Sequence, residues 1–361
     1  MIAVVATFVL GSNSHAKDSS LFERDGFRIH YVSNGGNCNG CEWIAIDGSI
    51  PPDAGQLFQQ YVETHKFAGL SLTIALNSEG GSLTGAIRLG RVIRSLGMKT
   101  RIAKTVPNEN WHTEAKGVCL SACAYAFLGG VFRSANAGEY GLHQFYTDAL
   151  LKDPNGKVFT PVDFSIQQAL TGLLLAYVIE MGIKAELVVA ANKTAPTEMN
   201  LLTREELAEF RVIYDPKEYG EWKLEAYRRG LLAYSRTQDE KQQMTVFCDG
   251  SHNAKMLVTY SNSQEGYEAF RDAFNAVKKF SLLKRDLPRP SIKLAYQSGR
   301  MMLHVPLTSP DLDALENNND PYGSFSVHSD EPRVFYGLVY ERISLRKLAD
   351  SIRLVRRNCL N

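Results

Sequence analysis

Residues 117–130 read Gly117-Val118-Cys119-Leu120-Ser121-Ala122-Cys123-Ala124-Tyr125-Ala126-Phe127-Leu128-Gly129-Gly130. Small residues throughout mark a strand that turns tightly into a helix. A serine at such a turn stands exposed at the helix start, and the N–H of the next residue, Ala122, is free to meet a developing negative charge. Taken alone, the segment reads better as an N-cap serine. Its neighbours along the chain change the balance. Upstream, Leu76-Asn77-Ser78-Glu79-Gly80-Gly81-Ser82 joins a β-branched, apolar run (Leu70 to Leu76) to a helix. Paired glycines let backbone N–H groups point outward with no Cβ in the way. The helix start adds positive potential, so the turn suits an oxyanion, although packing alone also explains a tight turn there. Downstream, Tyr140-Gly141-Leu142-His143-Gln144-Phe145 sets a histidine at a strand end, where it can fold back as a general base. A lone histidine at that place is ordinarily structural. The three segments in this order carry the chemistry.

The pattern around them is α/β. Asp25 to Val32 and Trp43 to Ile46 read as strands. Pro51 and Pro52 open a helix through Ala54, Leu57, Tyr61 and Val62. A second helix runs through Leu83, Ala86, Ile87, Val92 and Ile93, with Gly97 at its C′ position, and Lys99 to Ala103 is the next strand. The alternation β-α-β-α-β implies a parallel sheet with helical crossovers. Asp163 is placed to cap a long helix whose apolar positions, Ala169 to Val178, nearly encircle it. Gly182 ends that helix. Ala185 to Ala191 forms another, and Thr203 with Glu206 is a capping box. From Tyr214 to Asp239 the composition turns polar, charged and helical, and the domain boundary is placed at 237/238. Beyond it, short strands (Met244 to Phe247, Lys255 to Tyr260, Ile292 to Tyr296, Met301 to Val305, Arg333 to Val339) and helices predict a small α+β domain over 238–361. Its last helix carries Leu345, Leu348, Ile352, Val355 and Cys359 on one stripe.

Composition narrows the function. Forty Lys and Arg against 39 Asp and Glu give a net charge of +1, which excludes a strongly basic nucleic-acid footprint. Residues 1–16 hold a short apolar run followed by small residues, Ser14-His15-Ala16, and read as a signal peptide, leaving 17–237 as the first mature domain. The run is too short to span a bilayer, so no transmembrane anchor is expected after cleavage. A buried N-terminal strand is the competing reading. Export predicts a periplasmic or secreted protein whose even number of cysteines, six, is oxidised.

Asn77-Ser78-Glu79-Gly80-Gly81-Ser82, the serine turn with Gly129-Gly130 after its helix, and Gly141-Leu142-His143-Gln144 together resemble the Clp-type serine peptidases and their exported bacterial relatives. The resemblance extends to Thr197-Glu198-Met199-Asn200-Leu201-Leu202-Thr203 and on to Phe210-Arg211-Val212-Ile213, covering about residues 42 to 215. It implies a ClpP/crotonase-like spiral of ββα units. It further implies Ser121 as nucleophile, His143 as base, an oxyanion hole from the N–H groups of Gly81 and Ala122, and a peptide or protein substrate. No cofactor and no metal are implied. Family members assemble into rings, so a homo-oligomer is expected, with the helix from Asp163 to Met181 as its protrusion. The family's aspartate position falls on Asn200. An amide can orient an imidazole but cannot stabilise an imidazolium by charge. The third member is therefore Asn200 or an acid elsewhere, Glu198 or Asp163. The alternative is a non-catalytic binding or assembly protein with a degenerate triad. A crotonase-type acyl-CoA enzyme is a third reading, set against export.

Cys119 and Cys123 flank Ser121, and a disulfide between them would clamp the turn if their Cα atoms lie within about 7 Å. Each could instead pair with Cys38 or Cys41. Cys248 and Cys359 are expected to pair and staple the last helix. Zinc held by Cys38, Cys41, Cys119 and Cys123 is the metal alternative, and thioredoxin-like exchange at Cys38-Cys41 is weaker because that pair precedes a strand.

Overall fold

The computed structural model describes residues 20–37, 40–145, 161–227, 230–261, 264–320, 323–328 and 340–359. The expected signal peptide, Cys38 and the expected strand at Arg333 to Val339 lie outside them. The chain forms a mixed α/β structure in two compact units that divide after Tyr214.

The first unit is built on a six-stranded sheet. It takes β1 (Leu21–Arg24), β2 (Phe27–Ser33), β3 (Glu42–Asp47), β4 (Thr73–Asn77), β5 (Lys99–Ile102) and β9 (Arg133–Ser134) in that spatial order. The first three are antiparallel, and β3, β4, β5 and β9 run parallel. Helices α1 (Ala54–Thr64) and α2 (Leu83–Ser95) make the crossovers, as the β-α-β-α-β pattern predicts. Ser82 caps α2 by accepting from the Gly85 N–H, and Gly97 follows it at φ +65°.

Both faces of this sheet are covered, which is why β3 and β4 read as nearly unbroken apolar runs. Ile44, Ile46, Ile74 and Leu76 face the main core with α1 and α2. Trp43, Ala45 and Ala75 alternate onto the other face. There a hairpin of β6 (Lys104–Pro107) and β7 (His112–Ala115) lies against them, and the Trp43 indole N–H donates to Thr105 Oγ1 at 2.9 Å.

A second, three-stranded sheet carries β8 (Cys119–Leu120), β10 (Tyr140–Leu142) and β11 (Asn200–Leu201), with β10 in the middle. Around it stand α3 (Ala122–Phe127), α4 (Pro161–Glu180), α5 (Glu186–Asn192) and α6 (Arg204–Glu209). Asp163 falls inside the first turn of α4, not at its cap as expected, and its side chain lies outside those described. α4 and the turn after it bury Leu174, Tyr177, Val178 and Met181, and α4 leaves Val162, Ile166 and Ile179 exposed. The capping box of α6 is present: the Thr203 N–H donates to Glu206 and the Glu206 N–H to Thr203 Oγ1. Among the described residues, no helix is long and apolar enough to cross a membrane.

The second unit corrects two expectations. The stretch from Tyr214 to Asp239 is not helical: β12 (Lys223–Tyr227) and β13 (Gly230–Arg236) form a hairpin there. Ala233 and Ser235 are buried while Lys223, Leu224, Glu225 and Ala226 on the edge strand are exposed, so a charged stretch is carried on one side of a sheet. The boundary expected at 237/238 would cut between β13 and β14 (Gln242–Cys248), which are hydrogen-bonded neighbours. Beyond them β15 (Ala254–Ser261) leads to α7 (Gln264–Asn275), β16 (Lys279–Leu282), β17 (Arg285–Leu287), β18 (Lys293–Gln297) and β19 (Arg300–Pro306). The unit ends with α8 (Ser309–Glu316), β20 (Ser324–His328), β21 (Tyr340–Arg342) and α9 (Leu348–Cys359). One antiparallel sheet has the order β12-β13-β14-β15-β19-β18 and the other β17-β16-β20-β21. Leu348, Ile352 and Val355 of α9 enter their common core.

Candidate active site

Backbone pairing collects the three segments into one row. Ile50 bridges Gly81, Ser78 bridges Cys119, Leu120 pairs with Gly141, and Leu142 pairs with Asn200. The glycine turn, Ser121, His143 and Asn200 thus lie in that order at neighbouring strand ends, with strands spaced about 4.8 Å apart. All but the last belong to the carboxyl ends of parallel strands, the usual place for a ligand in such sheets.

Ser121 sits one residue beyond β8 at φ +54°, ψ −122°. This is the conformation of the first central residue of a type II′ turn, a glycine position, and holding a serine there costs about 1–3 kcal/mol. The N-cap explanation fails on geometry, because the Ser121 side chain makes no cap hydrogen bond to α3. Its N–H donates instead to Gly141 O at 3.0 Å, tying the turn to β10.

The glycine turn is pinned by its own side chains. Asn77 Nδ2 donates to Asp47 Oδ1 at 3.0 Å and its Oδ1 accepts the Val118 N–H, while buried Ser78 accepts the Gly80 N–H at 3.1 Å. Gly80 has φ +125°, and a Cβ there would stand 2.9 Å from the Ser121 Cβ, so glycine is what allows the two turns to touch. Ile50 uses the bridge for Gly80 O and the Ser82 N–H, which leaves the Gly81 N–H directed away from it. Neither the Gly81 nor the Ala122 N–H has an acceptor among the described residues. Two donors beside one hydroxyl are what a tetrahedral oxyanion requires.

His143 follows β10 and is only 8% exposed. Burial holds its imidazole below the ordinary histidine range, partly offset by a hydrogen bond with the Gln144 backbone. The neutral, proton-accepting form therefore prevails at neutral pH. The following residue is fixed twice: the Gln144 N–H donates to Thr194 O at 3.0 Å and its Nε2 to Asn192 O at 2.6 Å. Asn200 lies on the strand beside His143, whereas Glu198 is exposed in the preceding turn.

Cys119 and Cys123 are bonded to each other, with Cα atoms 5.1 Å apart, and both are fully buried. The bond joins β8 to the first turn of α3 across Ser121. It also removes both sulfurs as thiolate ligands, so the four-cysteine zinc alternative does not hold. Cys41 is disulfide-bonded as well. Cys248 and Cys359 form the expected staple in the second unit.

What sequence reading misses is the far end of α3. Tyr140 Oη donates to Ala124 O at 3.2 Å, Tyr177 Oη to Tyr125 O at 2.8 Å and Thr100 Oγ1 to Phe127 O at 2.8 Å. Arg94 donates to Leu128, Gly129 and Gly130 carbonyls, and buried Arg133 donates to Leu128 and Gly130. Burial and the neighbouring Arg94 charge push the Arg133 guanidinium down to about 10. All these acceptors are backbone atoms, so no side-chain pattern in the sequence announces them.

No protein-family profile matches the chain, and no curated protein matches it. Among solved structures, it is similar to a variant of the 1510-N membrane-bound stomatin-specific protease, at 18% identity. That match covers 47% of this chain and 75% of the other, with a TM-score of 0.31. It is also similar to a variant of ClpP1 from Listeria monocytogenes, at 14% identity, covering 47% of this chain and 86% of the other, with a TM-score of 0.31.

Proposed function

We propose that the protein is an exported serine hydrolase of the Clp-type fold, acting on peptide or protein substrates. The observation that carries this reading is Ser121: a non-glycine residue held at φ +54°, its side chain uncommitted to the helix it starts, between two outward N–H groups and a buried histidine. The ordered motifs of the first unit support it, and the disulfides fit an oxidising compartment.

Ser121 Oγ attacks the substrate carbonyl while His143 accepts its proton. The oxyanion of the tetrahedral intermediate takes the N–H groups of Gly81 and Ala122. His143 then returns the proton to the leaving group, and water reverses the sequence on the acyl-enzyme. Asn200 serves as the group that orients the imidazole. Lacking charge, it leaves the imidazolium less stabilised than a carboxylate would, and in the serine-protease template the aspartate-to-asparagine change lowers kcat by about 10⁴. That same residue favours the second reading, a binding or assembly protein on a hydrolase fold.

A fluorophosphonate probe separates the two. Labelling of wild type, lost in Ser121→Ala, with a rate that falls on acidification only below the ordinary histidine range, because burial lowers the His143 imidazole, is the expected result. Asn200→Asp is expected to accelerate labelling at least tenfold if position 200 serves the imidazole. No labelling of wild type at any pH between 6 and 9 would leave the binding reading.

A further inference from the structure

α3 is six residues long and entirely buried, too short to hold itself in register. Its own backbone bonds already occupy its last carbonyls: the Leu128 N–H donates to Tyr125 O, Gly129 to Ala126 O and Gly130 to Phe127 O. The Tyr177 and Thr100 bonds to Tyr125 O and Phe127 O are therefore additional, and the other side-chain donors described above take the carbonyls on either side. The donors come from five separate elements: Tyr140 on β10, Tyr177 on α4, Thr100 on β5, Arg94 on α2 and Arg133 on β9. The fit is close. A Cβ at Gly90 would lie 1.9 Å from Tyr177 Oη, and one at Gly129 would lie 2.1 Å from Gly90 O. Two guanidinium groups at the carbonyl end also complement the negative pole of the helix, whose positive pole is the Ala122 N–H.

We infer that Tyr177 and Arg94 are positioning residues for Ser121, gripping the carbonyl end of α3 so that the serine and the Ala122 N–H keep their alignment. This rests on the hydrolase reading for its catalytic consequence, but not for its structural one. Tyr177→Phe is the informative variant. It removes only the phenol oxygen, and Tyr125 O keeps the Leu128 N–H, so no buried polar group is stranded.

Two measurements on the full chain decide it. Amide exchange over residues 119–128 is expected to accelerate about tenfold in Tyr177→Phe while Tm moves by less than about 3 °C. The maximal rate of fluorophosphonate labelling is expected to fall about tenfold, with the half-saturating probe concentration changed less than about twofold. Arg94→Lys, which keeps the charge but loses the fork, is expected to show the same split. Exchange and maximal labelling rate both within about twofold of wild type would overturn the inference, since a merely structural role moves Tm alone. If wild type is not labelled at all, the hydrolase reading fails, and unchanged exchange in Tyr177→Phe still overturns the positioning role.

Discussion

In the first unit the Cys119–Cys123 bond spans four residues of sequence; in the second, Cys248–Cys359 spans 111. Chain entropy assigns the short loop about 2 kcal/mol and the long one about 5 kcal/mol. The long bond fixes α9, whose apolar stripe completes the core of the second unit. The short bond contributes less to stability but encloses Ser121 at positive φ. Buried polar groups divide in the same way. In the first unit they crowd around α3, the helix behind the serine. In the second a buried carboxylate, Glu341 at 8% exposure, faces the Tyr219 and Tyr260 phenols, with the Gln242 side-chain amide beside it. The first unit commits its local constraint to one turn, and the second commits it to holding its own end in place.

The largest effect is expected from Cys248→Ala with Cys359→Ala. Calorimetry should show the second unit destabilised by about 5 kcal/mol, with Ser121 labelling unchanged. A fall in labelling would break the comparison at once.

Glu341 comes next. Burial raises its carboxyl to about 7, with Lys217 and the two phenols opposing. A carboxyl raised in the folded state binds its proton more tightly there than in the unfolded chain. Its stabilisation is therefore full below about pH 4.5 and is lost as pH rises through about 7. Glu341→Gln should remove that slope and gain of order 1–3 kcal/mol at pH 8, read from urea unfolding at several pH values. An unaltered slope would show that Glu341 does not report the packing of the second unit.

The smallest change in stability and the sharpest in reactivity is expected from Cys119→Ala with Cys123→Ala. Unfolding free energy should drop by about 2 kcal/mol, whereas the labelling rate of Ser121 should fall tenfold or more, about 1.4 kcal/mol or above on the barrier. Equal losses in both disulfide variants would erase the distinction between the units.

Much of the first unit is legible because its signals are local. Gly97 ends α2, Thr203 and Glu206 start α6, and the β-α-β-α-β pattern appears as parallel pairing. The β1–β2 hairpin is missed: the strand read from Asp25 to Val32 runs through Asp25-Gly26, which at φ +51° and +79° is the dipeptide of its turn. Leu70, counted into a strand on hydrophobicity, is exposed before β4 begins. The β12–β13 hairpin was hidden because its outer strand is solvated along most of its length, so charge density imitated a helix. At the site, the serine turn and the glycine turn announce themselves through residue type. The grip on α3 does not, because Tyr177 and Arg133 bond to carbonyls, which every residue has.

The conformation of Ser121 sets the direction in which this site can drift. At φ +54°, ψ −122° the residue that folds most easily is glycine, so replacing Ser121 by glycine relaxes the backbone while removing the hydroxyl. Selection for stability alone would have emptied the position. A serine kept there is a hydroxyl retained against the preference of the fold, and its replacement by glycine in a relative would mark a lineage that has given up the chemistry and kept the scaffold.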